Sequence, residues 1–238
     1  ADLTAFAVAR GWWPANAGPV DFRAAFSDDA GVPPNLCAER RRRAAALLAE
    51  AGGQVTPGRL RAVLRDHYAD GAVHRPHPFD DPHFFSLCMH ADPLDNTTAA
   101  LVACLPRDPA ALATSWVCLG SPCTGVFLPC YPEGTLPPAL AVGGAEPDPA
   151  SPWWRMRELL TLVERDFAHF GPRVRARWDE FEAELSEEAE ALEGAAESLR
   201  RRGRTVEAAR LLSAFMARSV AGYTERAGAL VREIAAAA

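Results

Sequence analysis

Residues 120–125 contain the groups with the clearest capacity for chemistry. A turn of glycine, serine and proline places the Ser121 hydroxyl and the Cys123 thiol between two apolar runs. A cysteine attacks a carbonyl carbon efficiently when a histidine or an amine takes its proton, and no sequence rule places His90 within reach of Cys123. We predict that Ser121, Cys123 and His90 lie at or beside a substrate pocket. Plain packing of Cys123 in the core is the alternative.

Histidines are concentrated in one part of the chain, close to a cysteine. Five of them lie between positions 67 and 90, and Cys88 stands two residues before the last. A zinc site with local ligand spacing is typically marked by a C-x-x-C pair or an H-E-x-x-H helix, and neither is present. Cys118 and Cys123 are too far apart for a thioredoxin-type motif. We therefore expect no metal site and no cofactor, and we expect these histidines to be satisfied internally or exposed: His67, His74, His77, His83 and His90.

The basic side chains are 25 arginines, because the sequence contains no lysine. Schiff-base and P-loop lysine chemistry are therefore excluded. Arg41 and Arg42, near the start of a predicted helix, could hold a substrate carboxylate through paired guanidinium hydrogen bonds. A solvated basic helix face is the alternative interpretation. The many glutamates between residues 180 and 193 are predicted to form another solvated face.

Composition restricts the class of protein. The chain has 238 residues, a formal charge of −6 and 49% apolar residues, which is typical of a folded domain. The acidic balance argues against nucleic acid as a partner. No apolar run reaches the roughly 20 residues of a membrane helix, and no signal-peptide pattern is visible at Ala1. We expect reduced cysteines, a cytoplasmic location and no membrane partner.

Local patterns predict helices first and strands next. A helix is expected over residues 38–51, ended by Gly52 and Gly53, and a second begins at Thr56 and Pro57. Between residues 83 and 130, short aromatic and β-branched runs alternate with turn signals, which predicts three or four strands of an antiparallel sheet. The runs cover residues 84–89, 97–105, 115–119 and 125–128.

The pattern changes to helical periodicity at Ser151. A cap at Ser151 with Pro152 starts a helix, and a break or kink is expected at Gly171 and Pro172. Two long helices around Gly203 predict a helical hairpin over about residues 173–236. The predicted fold class is α+β, with one segment at 1–150 and a helical segment at 151–238.

Six strings along the chain carry a family resemblance when they are taken together. They are ARGWW at 9–13, FRAAFSD at 22–28, LRDH at 64–67, FSLCMHA at 85–91, NTTA at 96–99 and WVCLGSPCTGVFLP at 116–129. In this order they resemble the secernin family, over residues 1 to about 170. That family belongs to the cysteine dipeptidases among the N-terminal nucleophile hydrolases. The resemblance implies an αββα sandwich that cleaves amide bonds with an N-terminal cysteine whose own α-amine is the base.

The match covers only the second half of the family's length. This chain begins with Ala1, and its first cysteine is Cys37, so the resemblance implies no catalytic residue in this chain. We expect the C-terminal portion of an amide hydrolase acting on small peptides or other small amides. The alternatives are a relative that binds a ligand or partner without catalysis, and a structural assembly module. Since the chain holds strands for part of a sandwich, we also expect it to associate with the missing N-terminal half or with itself.

Overall fold

The computed structural model describes residues 2–26, 34–69, 78–81, 84–91, 95–108 and 111–237. The chain forms two compact units, Ala1–Arg42 and Arg43–Ala238. The helices are α1 (Leu3–Ala9), α2 (Phe22–Phe26), α3 (Pro34–Ala49), α4 (Pro57–Leu64), α5 (Pro152–Val163), α6 (Phe167–Arg201) and α7 (Thr205–Ala237). The strands are β1 (His90–Ala91), β2 (Asp95–Asn96), β3 (Ala99–Cys104), β4 (Thr114–Leu119) and β5 (Phe127–Cys130).

The first unit contains a small aromatic cluster. Asp2 caps α1 by accepting hydrogen bonds from backbone amides of the first turn. The Trp12 ring packs edge-on against Phe6 and Phe26, with centroid separations of 5.7 and 5.3 Å. The Arg10 guanidinium lies over both the Phe6 and Trp12 rings. The ARGWW string therefore packs locally within its own unit.

A three-stranded antiparallel sheet in the order β3-β4-β5 forms the centre of the second unit. Along β4, Thr114, Trp116 and Cys118 are buried and the residues between them are half-buried, as the two-residue period of a strand requires. Val102 of β3 pairs with Trp116, and Cys118 pairs with Phe127 of β5. The predicted antiparallel sheet is therefore confirmed for its last three strands.

The predicted strand over residues 84–89 is wrong. Only β1 and β2, two residues each, form a ladder in this region. The polar groups of this segment bond outside any strand: Tyr68 donates its hydroxyl hydrogen to the Phe85 carbonyl, and Cys88 donates its amide to the Asp66 carbonyl. Ser86 donates to the carbonyl of Cys88. The apolar run is thus an irregular buried segment, while His74, His77 and His83 lie outside the described residues.

The long helices pack as the predicted hairpin. Val174, Trp178, Phe181 and Leu185 of α6 are buried at helical spacing, and α7 contributes a matching stripe. The Trp178 and Tyr223 rings stack across the hairpin at 6.0 Å. The helices and the sheet share one hydrophobic core. The α+β class is therefore confirmed.

Of the predicted break or kink at Gly171 and Pro172, the break is wrong, because α6 runs through both residues, and the kink stays a prediction. The interruption falls earlier, at a 3₁₀ turn over Glu164–Asp166, where Asp166 caps α6 through the amide of His169. Pro172 in the second turn removes one backbone hydrogen bond, and buried side chains of α6 lie on both sides of it, at Phe170 and Val174.

The αββα sandwich that the resemblance implies would contain two sheets packed face to face. The described ranges contain one three-stranded sheet and one two-residue ladder, so the αββα sandwich stays a prediction. Within the same ranges, no helix combines the length and the apolar character needed to cross a membrane.

Candidate functional site

Four side chains from three separated segments meet inside the second unit. His67, Cys88, His90 and Cys123 bring their nitrogen and sulfur atoms within 4.8 Å of one another. His90 Nε2 lies at the centre, 3.2 Å from His67 Nε2, 3.2 Å from Cys123 Sγ and 3.4 Å from Cys88 Sγ. We call these four residues the Cys–His cluster.

The Cys–His cluster is almost closed to solvent. Cys88 is fully buried, His90 is 1% exposed, Cys123 is 7% exposed and His67 is 9% exposed. The Phe79 ring lies 4.2 Å from the His90 ring, and Phe167 lies 5.6 Å from the His67 ring. His90 Nδ1 is buried and has no hydrogen-bond partner in the described part of the chain. The arrangement is therefore an interior site.

The end of α4 places His67. Thr56 caps the start of α4 and accepts a hydrogen bond from Arg59, and the helix ends at Leu64. His67 follows after two further residues, and Tyr68 then adopts a positive φ of 59°, which turns the chain. The amide of Cys88 donates to the Asp66 carbonyl, so the His67 segment is tied directly to the segment with Cys88 and His90.

The Asp66 carboxylate holds the loop after α4 that carries His67. Arg43 donates to both of its oxygens, at 2.8 and 2.7 Å, and the Tyr68 amide donates at 2.9 Å. Burial opposes ionisation of Asp66, but these hydrogen bonds and the positive charge of Arg43 outweigh it and lower the pKa of that carboxyl. Asp66 is therefore an ionised anchor for the loop that carries His67.

The turn after β4 places Cys123, and two glycines make that turn possible. Gly120 has a φ of +83°, in the left-handed region. A Cβ on Gly125 would lie 2.5 Å from Cys118 Sγ and 2.9 Å from the Ser121 carbonyl oxygen, so only glycine fits there. The Pro122 carbonyl accepts hydrogen bonds from Arg65 and Arg175.

A buried carboxylate on α6 organises these arginines. Glu182 is 6% exposed, forms ion pairs with Arg61, Arg65 and Arg175, and accepts the Phe127 amide at 2.8 Å. Burial lowers the pKa values of Arg61 and Arg175, and charge attraction to Glu182 opposes this. Glu182 therefore couples α4 and α6 to the Cys123 turn.

The predicted solvated glutamate face is thus wrong at Glu182, and also at Glu193, which is half-buried and accepts hydrogen bonds from the hydroxyls of Thr114 and Tyr131. Glu184, Glu187 and Glu188 are exposed, as expected. Glu182 is four residues after Trp178, on the buried stripe of α6, and this spacing is the signal that could have identified it.

The two thiols of the Cys–His cluster have different environments. Burial raises the pKa of Cys88, and contact with Cys123 raises it further. Burial acts in the same direction on Cys123, but its hydrogen bonds with Cys88, His67 and His90 and the charge of His90 place its pKa well below the ordinary value. Chemically, the cluster could hold a metal ion or act as a thiolate–imidazole pair.

Ser121 lies in the same turn as Cys123 but is not part of the Cys–His cluster. Its hydroxyl donates to the Thr97 carbonyl at 2.8 Å. A cavity of about 110 Å³ lies beside it, between the sheet and α5. Its lining includes Asn96, Thr97, Ser121, Trp153, Met156 and Leu160.

The sequence-predicted site residues therefore separate into two groups. Cys123 and His90 are in direct contact, and Ser121 lies two residues away on a cavity. Arg41 and Arg42 belong to the first unit and are exposed on α3, where Arg42 pairs with Glu39. Their exposure agrees with a solvated helix face.

No local pattern in the sequence indicates that His67 and Cys88 join His90 and Cys123. Motifs for metal ligands have short spacings, whereas these four residues come from three segments between positions 67 and 123. The one available signal was indirect, since all four residues fall within strings that carry the family resemblance.

Comparisons of the chain with protein-family models, curated proteins and solved structures find no match. The resemblance to secernins therefore rests on the six sequence strings alone.

Proposed function

We propose that this chain is the C-terminal part of a secernin-like amide hydrolase, with a scaffolding and pocket-forming role. The observation that carries the proposal is convergence of the strings that resemble the family. The LRDH segment donates from Arg65 to the Pro122 carbonyl, and its Asp66 carbonyl accepts from Cys88. The Thr97 hydroxyl accepts from the Met89 amide, and the Thr97 carbonyl accepts from Ser121. Strings distant in sequence thus form one hydrogen-bonded unit.

The nucleophile of this hydrolase is expected to come from outside the present chain. Cys123 and Cys88 both contact His90, and Cys123 is the less buried of the two thiols, but it is only 7% exposed. A nucleophile must reach the carbonyl carbon of its substrate, so a closed thiol is a poor candidate. In the mechanism that the resemblance implies, an N-terminal thiol attacks the amide carbon while its own α-amine takes the thiol proton. The ammonium group then protonates the departing amine as the C–N bond breaks, and water hydrolyses the resulting thioester to the acid and the free thiol.

The cavity beside Ser121 supports a small substrate. Its volume of about 110 Å³ accommodates a small group, such as one residue side chain of a dipeptide. Thr97 and Ser121, which line it, belong to two of the strings that resemble the family. We assign this cavity to one part of the substrate pocket.

The first test compares two proteins on a panel of dipeptides and dipeptide amides. One is the chain of 238 residues, and the other is the product of the whole open reading frame that encodes it. We expect negligible hydrolysis by the first, because it lacks an N-terminal thiol–amine pair. We expect turnover by the second that is lost when its N-terminal cysteine is changed to alanine.

Two outcomes would contradict the proposal. Turnover by the isolated chain that disappears in Cys123→Ala would make Cys123 the nucleophile. A well-folded, inactive product of the whole reading frame would exclude the hydrolase and favour a ligand-binding relative or an assembly module.

A further inference from the structure

We propose that the Cys–His cluster binds one zinc ion in a four-coordinate structural site. Its donors are two thiol sulfurs and two imidazole nitrogens. Thiolate and imidazole ligands favour zinc over magnesium or calcium, which prefer oxygen. Two cysteines and two histidines are also one of the usual donor sets of structural zinc sites.

The spacing of the donors matches a tetrahedral ion. Zn–S bonds of about 2.3 Å and Zn–N bonds of about 2.0 Å place the ligand atoms about 3.3–3.8 Å apart. His90 Nε2 lies 3.2–3.4 Å from the other three donor atoms, and all pairs are within 4.8 Å. Shifts of a few tenths of an ångström, and about 1 Å at most, bring four donors to one centre.

Hydrogen bonding alone does not satisfy this arrangement. A neutral imidazole has one N–H donor and one acceptor nitrogen. His90 Nε2 is therefore able to make one good hydrogen bond, yet it lies within 3.4 Å of three polar atoms. A cation at the centre gives the lone pair of each donor a shared partner, and it fixes the remaining proton of His90 on Nδ1.

The surroundings indicate a structural site and not a catalytic one. A catalytic zinc keeps one coordination position open to water or substrate, whereas a structural zinc is enclosed by four protein ligands. Here four protein donors are present, and none of the four residues is more than 9% exposed. Hydrogen bonds from Arg65 to the Pro122 carbonyl and from the Cys88 amide to the Asp66 carbonyl tie the three ligand segments together.

Metal binding is favoured over the other uses of these thiols. A Cys88–Cys123 disulfide would need neither imidazole, and a thiolate nucleophile would need access to a substrate. Only a metal uses all four side chains together. Binding releases two protons to solvent, because both cysteines bind as thiolates and both histidines as neutral imidazoles, so two thiolates and one Zn²⁺ leave no net charge in the interior.

The test measures zinc and cobalt binding by the whole chain, kept reduced throughout. The protein is stripped with a chelator and reconstituted, and its metal content is measured by mass spectrometry. We expect one equivalent of Zn²⁺ per chain and a rise in the midpoint of thermal unfolding with Zn²⁺ but not with Mg²⁺. Bound Co²⁺ should show the visible bands of tetrahedral coordination and thiolate charge transfer.

Substitutions then identify the ligands. Cys88→Ser, Cys123→Ser and His67→Gln should each weaken zinc binding more than about 100-fold, since outer-shell changes alone cost about 10–100-fold. Cys104→Ser is the matched control, because Cys104 is a half-buried thiol of β3 outside the cluster, and it should bind zinc as the parent does. Circular dichroism of each variant reports whether it has folded.

A ligand exchange keeps the test decisive if the loss variants fail to fold. His67→Cys should retain one equivalent of zinc and strengthen the thiolate charge-transfer band of bound cobalt. Failure of the reduced, folded chain to take up zinc would overturn the proposal, and so would equal binding by Cys104→Ser and Cys123→Ser. The metal content does not depend on hydrolase activity, so a zinc-loaded but inactive enzyme would contradict only the proposed function.

Discussion

At the residue scale, Gly125 shows how closely the turn with Cys123 is packed. A methyl group at this position would meet Cys118 Sγ at 2.5 Å and the Ser121 carbonyl at 2.9 Å. Because one of these neighbours is backbone, the turn must move to accept the change. We expect Gly125→Ala to destabilise the protein by about 2 kcal/mol, the usual range for overpacking, and to reduce zinc binding. Urea unfolding and zinc titration measure the two effects.

Gly194 provides the control for Gly125. It lies on the exposed face of α6, and a Cβ there would meet no atom within 4 Å. Gly194→Ala should therefore stabilise the chain by about 1 kcal/mol, the difference in helix propensity. Equal and small effects of the two substitutions would show that the turn is not close-packed.

At the scale of elements, α6 contributes a buried charge as well as an apolar stripe. The substitution Glu182→Ala removes the anionic partner of three arginines and the hydrogen-bond acceptor of the Phe127 amide. We expect a loss of about 3–5 kcal/mol, as when one partner of a buried ion pair is removed. Thermal and urea unfolding followed by circular dichroism measure the loss.

Two variants separate the charge from the helix itself. Glu184→Ala removes an exposed ion pair with Arg226 and should cost no more than about 1 kcal/mol. Glu182→Gln keeps an acceptor for the Phe127 amide and should lose less stability than Glu182→Ala. If Glu182→Ala and Glu184→Ala were equally stable, the ion-pair network would not hold the Cys123 turn.

The elements that local rules could predict are those with local causes. Helix starts were predicted correctly at the caps of Thr56 and Ser151, and the long helices α6 and α7 were predicted from their apolar spacing. Each of these signals depends on residues within one or two turns of the helix. The segment at 84–89 has the composition of a strand, but its backbone groups form hydrogen bonds with distant residues, including Asp66 and Tyr68. Because a local pattern does not include these partners, the prediction of a strand was wrong.

The candidate site was only partly predictable for the same reason. Contact between His90 and Cys123 agrees with the expected grouping of site residues. Addition of His67 and Cys88 depends on how α4 packs against the sheet, which is a tertiary property. Glu182 is an intermediate case, because its place on the apolar stripe was readable although its three arginine partners were not.

At the scale of the whole molecule, the sheet presents an apolar edge. In the described residues β3 pairs only with β4, and Leu101 and Leu105 at this edge are 59% and 79% exposed. An uncovered edge strand offers unpaired backbone groups to another chain. We therefore expect a strand of the rest of the hydrolase, or of a second copy, to pair with this edge and cover Leu101 and Leu105.

Sedimentation of the purified chain tests that expectation. At micromolar concentration we predict a dimer or larger species, or a monomer that binds a hydrophobic dye, because burial of apolar surface gains about 25 cal/mol per Å². Leu101→Lys should weaken association or dye binding while the circular dichroism spectrum stays unchanged. Val206→Lys adds the same charge at an exposed position of α7 and should leave both unaffected. A well-folded parent chain that is strictly monomeric and binds no dye would contradict this prediction. It would show that the exposed edge of the sheet is stable in water without a partner.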